Sequence, residues 1–466
     1  MNADELQGEY ADSDFGDPRR TRRLLRMVER LGAAPDLSLP DGMRNDAELE
    51  GAYRFLNNDA IAVQKLLASH FSRTRERAGK VNDVWVAHDT TCFRFSDDRE
   101  GLGPVTHKKG AQGFYAHVSL AIGSNRMPLG VTGLHTYVRA PQRKARRRAA
   151  GEAGEQDRFK ELIEASEERL GLSVRPIHVI DREADSYALL AHLVTKSRRF
   201  VIRVGRDRRT STPRETKGSF RMVSEMKDCL EGVAQREVAL TRRVKKGFGT
   251  TPLQRKIHPA REGRMAQLQF RATSVKLRRP QRVSSSLPVS LSVHVVYVDE
   301  LNPPEGQPAV QWTLWTTEPI QTAEQVLSLV DAYRARWTIE EFFKALKTGC
   351  SFEKRQLRSY TALCRLLAIL LPIAWQLLQM RHVARSEPEQ PATLFLRPSL
   401  LAVLHATSER VPLPPNPTIR EAFCAIAGVG GHLKRNGPPG WLTLGRGFEK
   451  LLILEEGYLA ARCDQS

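Results

Sequence analysis

Tyr333, Arg336, Glu340, Lys344 and Lys347 lie on one short stretch, YRARWTIEEFFKALK, as a phenol, a cation, an acid and two more cations. Counted from Tyr333, the offsets to Arg336, Glu340 and Lys347 are three, seven and fourteen residues. An α-helix turns about 100° per residue, so these spacings bring the four side chains within roughly 60° of one another, with Lys344 beside them. Ile339, Phe342, Phe343 and Leu346 fall on the opposite side, which predicts that this second face is the buried one. A single carboxylate in a row of cations suits a site that holds a metal ion and a phosphate together. The same residues also make the pairs Arg336–Glu340 and Glu340–Lys344 of an ordinary surface helix.

Two further acids stand where strand chemistry would put them. Asp89 lies at the edge of the apolar run VWVA, and Asp181 follows PIHVI, at the carboxyl end of a predicted strand. In open α/β sheets that edge is where sites form. Carboxylates from two strands and Glu340 from a later helix could converge on Mg²⁺, a hard cation that takes oxygen ligands. Two such ions about 3.5–4 Å apart suit an in-line phosphoryl displacement. Taken singly, Asp89 also reads as a turn or threonine-bonded residue, and Asp181 as a helix N-cap before READ.

The elements that must position these residues belong to a strongly basic chain. Its 466 residues suggest two to four domains. Lys and Arg exceed Asp and Glu by 72 to 53, a net charge of +19. An enzyme of a small neutral metabolite has no need of that excess. Nucleic acid is the expected partner of such a field, with an anionic membrane second. Basic runs at Arg143–Arg148, Lys196–Arg214 and Arg242–Lys246 favour a tracked polyanion. The six cysteines show no CxxC and read as scattered thiols of a reducing compartment. The acidic, polar start MNADELQGEYADSDFGD does not read as a signal peptide. The apolar run Ala362–Met380 is interrupted by Arg365, Pro372, Gln376 and Gln379, so it reads as a buried core helix and not a membrane span. A cytoplasmic protein associated with the chromosome is expected.

Three regions follow from the patterning. Residues 1–75 read as short helices, with Asp17-Pro18 as one helix start, Asn45 or Asp46 as another, and an arginine-rich helix between them. They are predicted to form a helical DNA-binding domain. Residues 76–371 begin with three strand candidates, VWVAHDTTCFRF, GFYAHVSLAIG and LGVTGLHTYV, in an antiparallel meander. A charged helix at Asp157–Leu170, the strand before Asp181, a helix from Ser186 and the strand RRFVIRVG follow. Antiparallel strands followed by strands alternating with helices predict a mixed α/β sheet. Residues from about 210 to 315 interrupt this rhythm as an all-β insertion. Residues 372–466 read as a separate helical tail.

On these motifs the chain resembles the cut-and-paste DDE transposases of bacterial insertion sequences, in the branch with the Y-R-E-K signature and the Tn-five-type enzymes. HDTT (His88–Thr91) and IDREADSYA (Ile180–Ala188) resemble the strands of the two catalytic aspartates. YRARWTIEEFFKALKTG (Tyr333–Gly349) resembles the signature helix, with its spacing intact. GDPRRTRRL and EGAYRFLNN resemble the end-binding domain, LNPP and LWTTEP the exit from the β insertion, and GGHLKRNGPPGW part of the C-terminal domain. The resemblance implies an RNase H-like catalytic domain. It implies Asp89, Asp181 and Glu340 as metal ligands for two Mg²⁺ ions, with Mn²⁺ able to substitute. It implies Tyr333, Arg336 and Lys347, with Lys344 on the same face, as contacts to transposon-end phosphates. Arg203 falls at a basic DNA contact, and Trp312 at an aromatic that stacks on an extruded base, with Trp315 as its rival.

The function expected is therefore a transposase with double-stranded DNA as its partner, both as inverted-repeat ends and as target. It would act as a homodimer in the paired-end complex, with the dimer held by the C-terminal domain, cut through a hairpin intermediate and join the 3′-OH to target DNA. A catalytically silent end-binding repressor or domesticated protein, and an RNase H-like nuclease without strand transfer, are the alternatives.

Overall fold

The computed structural model describes residues 3–105, 111–139, 156–212, 220–240, 242, 260–408, 412–433 and 439–463. The basic run Arg143–Arg148, most of Arg242–Lys246 and Arg214 lie outside the described residues.

In chain order the N-terminal helices are α1 (Ala3–Gly8), α2 (Pro18–Ala33), α3 (Leu39–Gly42), α4 (Asp46–Leu56) and α5 (Val63–Ala78). Strands β1 (Val84–Phe95), β2 (Gly103–Pro104), β3 (Gln112–Gly123) and β4 (Pro128–Tyr137) follow. Then come α6 (Asp157–Leu170), β5 (Ile177–Ile180), α7 (Tyr187–Thr195), β6 (Arg199–Arg203), β7 (Arg209–Ser211) and β8 (Arg221–Met222). After α8 (Val223–Met226) come β9 (Ala234–Leu240), β10 (Arg264–Arg278), β11 (Ser290–Leu301) and β12 (Gln311–Thr316). The chain closes with α9 (Ala323–Ala335), α10 (Trp337–Lys344), α11 (Tyr360–Ser386), α12 (Pro398–Thr407), α13 (Ile419–Val429) and α14 (Trp441–Cys463). Two compact units result: residues 1–152, 162–174 and 337–466 form one, and residues 153–161 and 175–336 the other.

The first unit holds the expected meander. β1 pairs antiparallel with β3 over its whole length, His88 opposite Ser119 and Asp89 opposite Val118. β4 pairs with the other edge of β3, with register shifts at Ser119/Leu120 and Ala121/Ile122. Asp17 caps α2 by accepting from the Arg19 amide, and Asn45 caps α4 by accepting from Glu48, so both helix starts lie where the capping residues put them. The apolar run 362–380 lies inside α11, and its residues are almost all buried. Arg365 on α11 donates to the Leu56 and Ile61 carbonyls at 2.8 and 2.9 Å and to Asp59 at 3.0 Å. Arg355, 1% exposed, donates to the carbonyls of Pro35, Leu37 and Cys350. Both guanidiniums tie the N-terminal helices to the late part of the chain by supplying donors to carbonyls that helix ends and turns leave open. The expected boundary at residue 372 falls inside α11, which runs through Pro372, and the one at residue 75 falls inside α5.

In the second unit β5 and β6 are parallel, with Val179 opposite Val201. β12 pairs antiparallel with β6, β11 with β12, and β10 with β11. β9 pairs with the first half of β10 and β7 with its end. The segment read as an all-β insertion is therefore not a sheet of its own, since β12 continues the β5–β6 sheet. It also carries a helical stretch, α8 followed by a 3₁₀ turn at Lys227–Cys229. α9 is fixed to this sheet by Arg236 of β9, which donates to both oxygens of Asp331 at 2.8 and 2.9 Å. The chain as a whole is mixed α/β, as its patterning predicts.

Candidate active site

The stretch carrying Tyr333, Arg336, Glu340, Lys344 and Lys347 is not one uninterrupted α-helix. α9 ends at Ala335, Arg336 occupies its C-cap, α10 begins at Trp337, and Ala345–Gly349 form a π turn. A π turn closes i→i+5 and takes up more chain than an α turn, so a uniform 100° wheel does not carry through to Lys347. The expected apolar face is correct: Ile339, Phe342 and Leu346 are fully buried and Phe343 nearly so. The opposite expectation needs correcting. Tyr333 and Arg336 are 5% and 8% exposed, so neither belongs to a solvent face.

In the second unit four of the sequence-selected residues surround Asp181. β5 ends at Ile180, and Asp181 opens the 3₁₀ turn Arg182–Ala184 without capping it by its side chain. Its Oδ1 instead accepts from the Tyr333 hydroxyl at 3.1 Å. Arg203, the last residue of β6, places a guanidinium nitrogen 3.9 Å from the same oxygen, an ion pair too long for a hydrogen bond. The Tyr333 ring meets Trp312 of β12 edge-on, with centroids 5.6 Å apart and an interplanar angle of 63°. The Arg336 guanidinium lies 6.0 Å from the Tyr333 ring centre. Burial pushes the Asp181 carboxyl up, but the charge of Arg336, the Arg182 amide, Arg203 and the Tyr333 hydroxyl outweigh it, so Asp181 stays ionised below its ordinary range. Burial first, and then the Asp181 charge, push the Tyr333 phenol up to about 12. It is therefore a firm proton donor near neutrality. Trp315, the rival aromatic, is fully buried in the core, whereas Trp312 is half-buried.

A second acid in the same motif does work that the sequence reading missed. Asp185 is buried and accepts from the amides of Gly205 and Arg206, both at 2.8 Å, and from Arg208 at 2.9 Å. A Cβ on Gly205 would come within 2.8 Å of the Arg182 carbonyl, so only glycine lets the turn after β6 lie against the turn that starts at Asp181. The signal was the second aspartate of DREAD, four residues after the first and on the same short turn.

In the first unit Asp89 sits half-buried on β1, its Oδ1 accepting from the Thr90 amide at 2.8 Å. The threonine-bonded reading thus describes one oxygen of this carboxylate. Glu340 is half-buried in the first turn of α10. Lys347 donates to the Cys92 carbonyl at 2.7 Å, with its ammonium 5.5 Å from the Phe93 ring centre. Burial lowers its pKa, against the attraction of Glu353. Lys344 is exposed, paired with Glu341 at 2.6 Å and 5.6 Å from the ring centre of exposed Trp337. Glu341 also pairs with Arg381 at 3.0 Å, which ties α10 to α11.

Asp89 and Glu340 belong to the first unit and Asp181 to the second. Among the described residues, no three or more His, Cys, Asp or Glu side chains stand together as a metal site. The donor type nevertheless fits a hard divalent cation, since all three are carboxylates and Asp181 is held ionised.

Two family models match the chain. A transposase DNA-binding model matches residues 3–61, and a transposase DDE domain model matches residues 143–375, half of the chain. Asp181, Arg203, Trp312, Tyr333, Arg336, Glu340, Lys344 and Lys347 fall within the second match, and Asp89 precedes it. Among solved structures, a piggyBac transposase synaptic complex with hairpin DNA is similar, at 11% identity over 80% of this chain and 67% of that one, with a TM-score of 0.35.

Proposed function

The chain belongs to the DDE transposases, and from that premise we propose that it is a cut-and-paste transposase of the Y-R-E-K branch with an RNase H-like catalytic core. The observation that carries the finer reading is the surrounding of Asp181: a carboxylate kept ionised by Tyr333, Arg336 and Arg203, with Trp312 against Tyr333. Asp89, Asp181 and Glu340 would hold divalent ions, two per site, with Mg²⁺ as the natural ion and Mn²⁺ in its place. Such ions polarise the attacking oxygen and stabilise the leaving one in an in-line displacement. The residues themselves bind and orient. Arg336 and Arg203 offer planar donors that match a phosphate. Lys344 is exposed, and its ammonium, paired with Glu341, would follow the DNA backbone. Lys347 gives one ammonium proton to the Cys92 carbonyl, which leaves two for a phosphate.

In this reading residues 1–75 bind transposon ends, a homodimer pairs them, and water attacks to release a 3′-OH. That hydroxyl closes a hairpin on the opposite strand, and the hairpin is opened before joining to target DNA. The protein works in the cytoplasm on the chromosome. A cleavage and joining assay on cognate inverted-repeat ends tests this. Nick, hairpin and joined product in sequence support it. Binding without cleavage would leave a silent end-binding protein, and cleavage without joining a plain nuclease.

The hairpin step has its own test. Trp312→Ala removes a stacking surface worth about 1–3 kcal/mol per base. First-strand nicking needs no extruded base and should survive, while the nicked intermediate accumulates because hairpin closure is slowed. A time course on labelled ends scores nick and hairpin separately. Equal loss of both would mean that Trp312 acts through Tyr333 or through folding.

A further inference from the structure

The β10–β11 hairpin carries cations that the surroundings of Asp181 do not use. From Ala272 to Val298 the chain holds Lys276, Arg278, Arg279 and Arg282 and no Asp or Glu. The ladders fix where the strand residues point. Lys276 lies opposite Ser211 of β7 and Ser292 of β11, and Arg278 lies opposite Ser290. Opposed residues of a ladder share a face and successive ones alternate, so these five and Arg209, two before Ser211, stand on one side of the sheet. The other side is core: Thr210, Leu277 and Leu291 are at most 2% exposed. Arg209, Lys276, Arg278, Ser290 and Ser292 are exposed, as is Arg282 in the loop.

The cations of this face are not spent within the protein. Among the described residues, Arg209, Lys276, Arg278 and Arg282 form no ion pair. Asp207, two residues before Arg209, instead accepts from the Ser224 amide and hydroxyl at 3.0 and 2.5 Å. The face is also held in shape. Arg279 donates to the Ser285 carbonyl at 2.7 Å and to the Leu287 carbonyl, which closes the loop after Arg278. The Tyr187 hydroxyl donates to the Pro288 carbonyl at 2.7 Å and ties that loop to the start of α7, the helix that follows the Asp181 turn. The Arg278 guanidinium packs 4.4 Å from the ring centre of Phe220. Ordered, unpaired cations beside serine hydroxyls match phosphate oxygens, which accept from both.

We infer that this β7–β10–β11 face is a second duplex-binding surface, which holds the backbone of target DNA. Phosphate contacts give affinity without sequence information, and so suit a duplex of no fixed sequence. The choice of target over transposon end rests on the transposase reading above, in which residues 1–75 take the ends; the affinity for duplex does not.

The test is Lys276→Glu, Arg278→Glu and Arg282→Glu together in the full chain. Binding of a short duplex without inverted repeats is followed by fluorescence anisotropy over a salt series. Nicking of ends, and joining of pre-cut ends to a target plasmid, are measured on the same protein. Loss of three phosphate contacts makes the log–log salt slope for the plain duplex shallower by about 3 and weakens its binding at least about 10-fold. Nicking stays within about twofold of wild type. Joining falls at low target concentration and recovers at saturating target, because only target capture is impaired. Lys276→Arg, Arg278→Lys and Arg282→Lys together keep the charge and keep joining. Unchanged plain-duplex binding with unchanged joining overturns the inference. Equal losses in nicking and joining assign the face to the end duplex and overturn the target role. If the wild-type protein binds plain duplex but joins no ends, the transposase reading fails, while the duplex measurement still decides the surface. Should the triple variant melt well below wild type, Ser290→Glu with Ser292→Glu decides. Two acids placed on the same face must weaken plain-duplex binding in the same way, and wild-type binding by that variant overturns the inference.

Discussion

Asp89→Ala, Asp181→Ala and Glu340→Ala are each expected to abolish nicking of cognate ends while leaving end binding within a few-fold of wild type. Two physical facts separate these effects. Affinity for DNA comes mainly from phosphate contacts made by cations, and removing an acid from a basic surface takes none of them away. The chemical step instead needs oxygen ligands at the reacting phosphate, and losing one costs at least about 10³-fold in rate, on the order of 4 kcal/mol. The isosteric Asp→Asn and Glu→Gln changes should be nearly as damaging, because an amide keeps the shape but not the charge. Gel shifts and nicking assays on the same labelled end give both numbers. A variant that nicks at wild-type rate would remove that residue from the metal site. Glu341→Gln is the internal control. Its carboxylate pairs with Lys344 and Arg381, so its loss loosens the seat of α10 and should slow nicking only moderately.

Much of the fold was legible in the sequence because local chemistry decides it. Asp17-Pro18 and Asn45 start helices by capping, and the period-two runs before Phe95, Gly123 and Tyr137 give the meander with its neighbours in order. The Asp157–Leu170 helix and the strand that ends before Asp181 were equally plain. What was not legible depends on contacts distant in sequence. The break at Arg336 and the π turn after Lys344 leave no mark in a helical wheel, because every residue from Tyr333 to Lys347 is compatible with a helix. Nor does a period-two pattern say which strand β12 will meet; its pairing with β6 merges the apparent insertion with the sheet. Of the site, the residues were legible by type and spacing, but their orientation was not. Nothing in the spacing of Tyr333 and Asp181, 152 positions apart, indicates that the phenol would bond the acid. The clamp of Asp185 on Gly205, Arg206 and Arg208 was hidden for the same reason.

A chain ended at residue 371 is expected not to fold, although patterning alone suggests a removable C-terminal tail. The cut would fall in the middle of α11 and delete Ile373, Trp375, Leu378, Met380 and Val383, all buried. Each such side chain contributes about 1.5–3 kcal/mol by burial. Their sum rivals the roughly 5–15 kcal/mol that separates a native domain from its unfolded state. Trp375 adds a hydrogen bond from its indole nitrogen to the Pro128 carbonyl at 2.9 Å, and the Arg77 guanidinium lies 4.0 Å from its ring centre. Losing it would strip support from β4 and α5 as well as from the tail. Circular dichroism and soluble yield of the shortened protein check this; a soluble form with a cooperative melt would refute it. The role of the C-terminal helices in pairing ends is better tested without deletion. Leu454 and Leu459 of α14 are exposed, at 46% and 43%, and replacing both with lysine should cost little stability. If a second copy packs on this face, the double variant binds single ends normally but forms no paired-end complex by light scattering, because two lysines would have to be desolvated in an apolar contact. Paired complexes at wild-type level would place the dimer contact elsewhere on the chain.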